Sequence, residues 1–385
     1  MTTSNKIFKL NGVIQHYAWG GNTFIPDLLG VENTSEKPFA EYWMGAHPSA
    51  SAILATNDGP ISLIDVINKD PQTVLTKAVY ERFGELPYLL KVLDVKQMLS
   101  IQVHPTKEAA EKGFDKEEAA GIPINAPNRN YKDRNHKPEV MVALSDFWLL
   151  HGFKEKALLE KTLADVQEFN ILLPLFKMDG YQGLYQFVME LAQPEVNSFL
   201  MSVVKRVSRQ KKEGELTKSD PGWWVAQLFE DVDQIVDIDR GVFSIYFFNI
   251  VNIQPGEGVF QGAGLPHAYL EGQNIELMAN SDNVLRGGLT PKYIDVPELL
   301  KHTLFEGIVP NILKGNEIRI GEKLYHCPVP DFAISKIELV GKRAYTNTAE
   351  GLEIIIVTAG GAILNNNIVL KRGEAICLLP DAAYS

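Results

Sequence analysis

Ile253-Gln254-Pro255-Gly256-Glu257-Gly258-Val259-Phe260-Gln261, followed after three residues by Leu265-Pro266-His267-Ala268-Tyr269, decides how this chain folds. Strand texture runs into it from Val242 through Ile253, the Pro-Gly pair turns the chain, and a short apolar run leads to His267. The pattern recurs near the end of the chain in weaker form. Leu352 to Val357 has strand texture, Gly360-Gly361 is a turn, and Val369-Leu370-Lys371-Arg372-Gly373-Glu374 repeats the Gly-Glu turn. His267 stands eleven positions after Gly256, and Tyr384 stands eleven after Gly373. The two segments read as diverged copies of one β unit, with the metal-capable residue kept only in the first. A strand, a Gly-Glu turn and a strand carrying His are the marks of small β-barrels of the jelly-roll kind.

Outward from this unit, the first 150 residues are short apolar runs punctuated by Gly, Pro and Asn. Leu86 to Val95 and Met98 to Val103 read as buried strands, and Val140–Leu144 with Phe147–Gly152 as a strand pair around a Ser145-Asp146 turn. Asp70 to Glu85 is the exception, with Val74, Leu75, Ala78, Val79 and Phe83 at helical spacing. From Lys154 to about Asp239 apolar residues return at i, i+3, i+4, as in Leu158, Leu159, Leu163 and Val166. That stretch reads as an inserted α-helical domain. The basic run Lys205-Arg206 to Lys211-Lys212 inside it fits a solvated helix end better than an anion site. The expected fold is therefore mainly β with a helical insert. A discontinuous first barrel spans 1–153 and 240–305, the helical domain 154–239, and a metal-free barrel 306–385. The last barrel is expected to be incomplete, because the chain stops shortly after its Gly-Glu turn.

The chain has 385 residues, 45% hydrophobic and 22% charged, an ordinary balance for a soluble globular protein of more than one domain. There are 48 acidic against 37 basic residues and a formal charge of −11, which argues against nucleic acid or an anionic membrane as partner. An anion bound by such a chain needs positive charge concentrated locally. Cys327 and Cys377 alone make neither a disulfide framework nor a Cys-x-x-Cys zinc pair. Met1 to Leu10 lacks a basic-then-apolar signal layout, and no apolar run nears the ~20 residues that span a bilayer. A cytoplasmic protein, acting as a monomer, is expected.

Gln102 and His104 lie at i, i+2 after an apolar run, so in a strand they project from one face while Val103 packs on the other. Glu139, in His136-Lys137-Pro138-Glu139, and His267 complete a set of four candidate ligands: an amide oxygen, a carboxylate and two imidazoles. A catalytic zinc site wants three or four such N/O donors and one open position. The neutral Gln102 leaves the site a net positive charge and its Lewis acidity. Spacing alone leaves open that the two histidines are unrelated core residues, and it leaves His136, His16 and His47 as rival ligands.

Pro266 to Val296, PHAYLEGQNIELMANSDNVLRGGLTPKYIDV, is dense in His, Glu, Asp, Asn, Arg and Lys, with glycines at its bends. With Gln15–Gly20 (QHYAWG), Glu41–Pro48 (EYWMGAHP), Leu99–Pro105 (LSIQVHP) and Asn130–Glu139 (NYKDRNHKPE), it strongly resembles the type I phosphomannose isomerases, a family of zinc-dependent cupins. The resemblance runs from about Ile14 to Glu298 and weakens over the helical insert and the tail. It implies two cupin-type jelly-roll barrels, only the first metal-binding. It implies one zinc ion on Gln102, His104, Glu139 and His267, and an essential arginine at Arg286. The implied activity interconverts D-mannose 6-phosphate and D-fructose 6-phosphate by proton transfer between C2 and C1 through a cis-enediol.

That chemistry needs a base, an enediolate stabiliser and a phosphate site. Glu276, Asp282 and Lys137 are the candidate bases, since a carboxylate or lysine in a dry site is tuned toward neutral pKa. The resemblance puts the phosphate at Ser100, Lys91 and Lys292, a hydroxyl and two ammoniums suited to a dianion. Lys292 follows Thr290-Pro291, which fixes the backbone before it. Trp19 is expected to wall the sugar site, and Asn280, Ser281, Asn283 and Tyr269 to serve as supporting partners or turn formers. Two rival readings use the same residues. An iron cupin dioxygenase would use His104, Glu139 and His267 as a facial triad. A non-catalytic sugar-phosphate sensor would bind without turnover. Gln102 and the lysines speak against the first, and Arg286 with a complete ligand set against the second.

Overall fold

The computed structural model describes residues 6–232, 234–341 and 343–385, so the first five residues of the N-terminal stretch read above lie outside it. Fourteen strands precede residue 290 among the described residues. They are β1 (Ile7–Asn11), β2 (Val13–Gln15), β3 (Glu41–His47), β4 (Ala50–Ser51), β5 (Ile53–Thr56), β6 (Gly59–Ser62) and β7 (Tyr88–Val95). They continue with β8 (Ile101–Val103), β9 (Glu139–Ala143), β10 (Phe147–Phe153), β11 (Phe248–Ile253), β12 (Gly258–Gln261), β13 (His267–Ala279) and β14 (Leu285–Gly288).

Two layers of sheet share β13. Its second half lies between β7 and β9, giving the order β2-β3-β7-β13-β9-β12. Its first half lies between β8 and β10, giving β14-β8-β13-β10-β11. The change of layer falls at Gly272, whose φ is +128°. A Cβ there would stand 2.6 Å from the Phe147 ring and 2.7 Å from the Asp146 carbonyl, so only glycine lets the strand pass. Val140–Ala143 and Phe147–Gly152 are strands as expected, but they do not pair with each other. The Ser145-Asp146 turn carries the chain along one edge of β13 from its second half to its first.

Period-2 alternation sorts the side chains. Leu93, Val95, Met141, Phe147, Leu149, Val251 and Tyr269 point between the layers and form a core there. Leu90, Val92, Val140, Ile275 and Leu277 point the other way, into a core shared with residues 327–379. Ile101, Val103, Leu150, Ala268 and Leu270 point out of the second layer into the helical region. That region holds the helices Lys156–Asp165, Leu173–Glu190, Gln193–Lys212 and Pro221–Leu228, with a 3-10 turn at Gln167–Leu172. The basic run ends the helix Gln193–Lys212, with Arg206 on Glu168 at 2.7 Å and Lys211 on Glu230 at 3.1 Å.

One strand expectation is corrected. Val242 to Phe247 belong to a helix, Gly241–Phe247, and the strand begins only at Phe248. All seven helix residues are buried, so there is no polar face to betray the period. Asp239 starts the helix by accepting from Gly241 N at 2.6 Å, and its carboxylate also takes Leu289 N (2.8 Å) and Thr290 N (3.0 Å).

The C-terminal part is entirely β among its described residues, with strands such as Glu353–Ile356, Gly361–Leu364, Ile368–Lys371 and Ala375–Leu378. Its main sheet runs Glu353–Ile356, Ala375–Leu378, β1, β5, β6, so the chain's first strands complete it. The two Gly-Glu turns share one geometry. Gln254 N donates to the Glu257 carboxylate (3.0 Å) and Lys371 N to the Glu374 carboxylate (2.7 Å), with Gly256 and Gly373 at φ +87° and +84°. No helix among the described residues is long and apolar enough to cross a membrane.

Candidate metal centre

Register puts the site residues in rows between the two layers. In the first layer Trp43, Lys91, Glu276 and Met141 are direct partners across β3, β7, β13 and β9, and Leu89, Met278, Glu139 and Gln261 make the next row. In the second layer His151, His267, Gln102 and Arg286 are partners across β10, β13, β8 and β14. Partners in antiparallel strands project to the same face. Gln102 therefore stands between His267 and Arg286, and His104 follows two residues on.

His104, Glu139 and His267 are buried, and they offer ligand atoms within 4.8 Å of one another. The imidazole tautomers are set by their outer partners. His104 Nδ1 donates to the Asn283 carbonyl at 2.8 Å and His267 Nδ1 to the Leu265 carbonyl at 2.9 Å. Each ring thus turns a bare Nε2 lone pair toward Glu139, at 3.3 Å from Oε1 and 3.2 Å from Oε2. Lone pairs facing carboxylate oxygens repel unless a cation lies between them, and His104 Nε2 makes no hydrogen bond with proper geometry. Burial holds the His104 imidazole down to about 4, so protonation does not supply that cation at neutral pH. Although burial pushes the Glu139 carboxyl up, Lys137 Nζ at 3.2 Å holds it well below the carboxylate range. These donors fit a divalent ion of the zinc class.

The rival histidines point elsewhere. His16 Nδ1 meets the Pro38 carbonyl at 2.7 Å, His47 pairs with Asp282 at 3.3 Å and Ser49 at 2.7 Å, and His136 with Asp331 at 2.9 Å. Asp133 knits the two motifs around the centre, accepting from Ser281 Oγ (2.9 Å), Asp282 N (2.7 Å) and Asn283 Nδ2. Asn283 in turn takes Lys132 N at 2.7 Å and so holds the carbonyl that fixes His104. Asn280 donates its backbone N–H to the Pro87 carbonyl.

Beside the ligand atoms, Glu276 and Lys91 form a buried charged pair. Lys91 Nζ lies 3.1 Å from Glu276 and 3.4 Å from Glu41, over the Trp43 ring at 5.0 Å. Tyr269 Oη donates to Glu276 Oε2 at 2.8 Å. Burial raises the Glu276 carboxyl above the usual range, with Lys91 opposing. Burial pulls Lys91 down, but Glu41 and Glu276 outweigh it and the ammonium stays charged. Glu41 was not among the candidates, although its place two residues before Trp43, on the same strand face, was readable. Its carboxylate accepts the Trp43 indole N–H at 2.5 Å.

Arg286 is partly buried, and burial lowers its pKa. It lies near enough to Lys292 and Lys132 to lower theirs too, after burial as the first cause. The sequence does not single out Lys132 either. Its number in a run of charged residues carried no signal of which way it points. Lys292 N is fixed by Thr290 Oγ1 at 3.2 Å, and its side chain is exposed. Ser100 immediately precedes β8. Trp19 is partly buried against the inter-layer core and stacks on Tyr17 at 5.9 Å.

A two-layered β fold with a buried His–Glu–His centre beside an arginine defines a metal-binding β protein of the enzyme type. The chain belongs to the type I phosphomannose isomerase family. The profile of the phosphomannose isomerase type I catalytic domain matches residues 7–156. Mannose-6-phosphate isomerase of Shigella flexneri is 41% identical over 375 residues, 95% of this chain and 93% of that protein. The Escherichia coli K12 enzyme of the same name is 41% identical over 376 residues, with the same coverage. The Salmonella typhimurium mannose 6-phosphate isomerase, in a crystal structure with fructose 6-phosphate and zinc, superposes with TM-score 0.88 at 36% identity, over 99% of this chain and 96% of that one.

Proposed function

We propose that the chain is a zinc-dependent aldose–ketose isomerase that interconverts D-mannose 6-phosphate and D-fructose 6-phosphate. The observation that carries this is the Glu139 carboxylate facing two imidazole lone pairs whose tautomers are fixed from outside. Gln102, His104, Glu139 and His267 would hold one zinc ion, with Gln102 as the neutral donor. Zinc bound there supplies a Lewis acid for the sugar's O1 and O2.

The chain's own groups do the rest. Arg286, beside Gln102 in register, offers a permanent cation to orient the open-chain oxygens. Glu276, Lys137 and Asp282 are the groups to move the proton between C2 and C1. Glu276 has the stronger support: it is buried and raised, and it is hydrogen-bonded to Tyr269. Asp282 is engaged by His47, which holds its carboxyl below the usual range against burial. Lys137 is engaged by Glu139. Ser100, Lys292 and Lys91 are the phosphate set carried by the family resemblance. Lys292 with Arg286 and Lys132 forms the cationic side of the site, whereas Lys91 has Glu41 and Glu276 as its partners. Trp19 walls the sugar.

The finer architecture belongs to the same reading. The two layers around the metal form a cupin-type jelly-roll barrel within residues 1–153 and 240–305, 154–239 is its helical insert, and 306–385, completed by β1, β5 and β6, is a second, metal-free barrel. Its Tyr384, hydrogen-bonded to Glu353 at 2.9 Å, takes the place of the metal-binding histidine. The protein works as a cytoplasmic monomer on a small sugar phosphate, without nucleic acid or membrane. The test is a coupled assay on mannose 6-phosphate with and without chelator. Turnover that stops on chelation and returns with zinc is expected. Stoichiometric iron with oxygen uptake, or binding without turnover, would overturn the proposal.

A further inference from the structure

Gln261 ends β12 directly opposite Glu139 of β9. Their side chains leave neighbouring strands on the same face, with Cβ atoms about 5 Å apart. Gln261 is fully buried, and neither its Oε1 nor its Nε2 has a hydrogen-bond partner. The residues that follow it hold the backbone of one histidine ligand and the ring of the other. Gly264 N donates to the His104 carbonyl at 2.9 Å, and the Leu265 carbonyl receives the His267 Nδ1–H. Burying a carboxamide with its donors and acceptor unmet is unfavourable. An apolar side chain of the same length would serve packing better, so packing does not account for glutamine at this position.

We propose that Gln261 is a positioning residue for the metal centre, donating from its carboxamide to the Glu139 carboxylate when zinc is held. This rests on the zinc reading above. Without metal, each Glu139 oxygen faces an imidazole Nε2, and only Oε1 meets a donor, Lys137 Nζ. Once the Nε2 lone pairs and one carboxylate oxygen turn to a cation, the other oxygen needs a donor. Lys137 is one, and Gln261, in the adjacent strand on the same face, is the second. Ligating carboxylates are held by such outer partners, and losing one typically weakens metal binding 10–100-fold.

Asn274 provides the internal control. It is also fully buried and unpartnered, but its partners in register are Leu93 and Ala143, not a ligand. The experiment measures zinc affinity by competition with a chromogenic chelator, and the thermal midpoint with and without zinc, for wild type, Gln261→Leu, Gln261→Met and Asn274→Leu. For both Gln261 variants the expectation is a metal-free midpoint equal to or above wild type and zinc binding weaker by 10–100-fold. Asn274→Leu should shift the metal-free midpoint the same way and leave zinc affinity unchanged. Wild-type zinc affinity in either folded Gln261 variant would overturn the proposal, as would equal weakening by Asn274→Leu. Failure of the wild-type chain to bind zinc would instead sink the reading on which it rests.

Discussion

Lys91→Met tests whether the charged pair beside the metal centre is organised as described. Lys91 is 6% exposed and lies between Glu41 at 3.4 Å and Glu276 at 3.1 Å, themselves 7% and 4% exposed. Methionine keeps the length of the side chain and its contact with Trp43, so the change isolates the charge. Removing one partner of a buried ion pair leaves the other uncompensated and costs about 3–5 kcal/mol. Here two carboxylates lose their shared cation, so the upper part of that range is expected. Part of the loss is recoverable by protonation. The Glu276 carboxyl is already raised by burial, with Lys91 opposing. Losing Lys91 raises it further. A carboxyl whose pKa is higher folded than unfolded binds more protons in the folded state, so its contribution is lost as pH rises past the unfolded value. The destabilisation should therefore be smaller at pH 5 than at pH 8. The assay is urea unfolding of wild type and variant at both pH values. Lys112→Met is the control, since Lys112 and Glu108 meet at 2.6 Å but lie exposed at 76% and 77%, and no measurable change is expected there. A Lys91→Met loss as small as the control's, or one that does not grow with pH, would refute the reasoning.

Four further outcomes are expected. His267→Ala should abolish isomerisation and lower bound zinc, as read by metal analysis of the dialysed protein; full activity with unchanged zinc would remove it from the ligand set. Arg286→Ala should keep its zinc and lose turnover by orders of magnitude in the coupled assay, and near-normal turnover would exclude it from the mechanism. Glu276→Gln should abolish turnover while zinc content holds, whereas an active variant would move the base to Lys137 or Asp282. Gly272→Val should destabilise the fold strongly in thermal melts, because its Cβ would collide with Phe147 and the Asp146 carbonyl; a midpoint within experimental error of wild type would show that β13 can bend elsewhere.

Much of this was legible because the signals are local. Gln102 and His104 announced a strand face by their spacing, and the turn at Gly256 announced the strands on either side. The helical insert declared its period through its solvent face. The same logic explains the failures. Gly241–Phe247 is buried all round, so its apolar run carries neither period and reads as strand. The pairing of β1 with residues 375–378 is set by contacts that no local pattern encodes. The place of Lys91 between two carboxylates depends on the register of β3 and β13 against β7, which joins residues far apart in sequence. The spacing of Glu41 from Trp43 shows that they share a strand face, but not which strand lies opposite. A glutamate two residues before a tryptophan is unremarkable until the facing strand supplies a lysine.

The pairing of β1 with residues 375–378 also has a bearing on biosynthesis. At about 5–20 residues per second, a ribosome delivers the partner strand roughly 20–75 s after β1 has emerged. During that interval β5 covers one side of β1 in the finished register, while its other edge is an open template for any passing strand. Residues 375–378 thus close the sheet that β1 begins. A nascent chain halted before residue 375 would carry an exposed, apolar strand edge, which marks it as a substrate for chaperones.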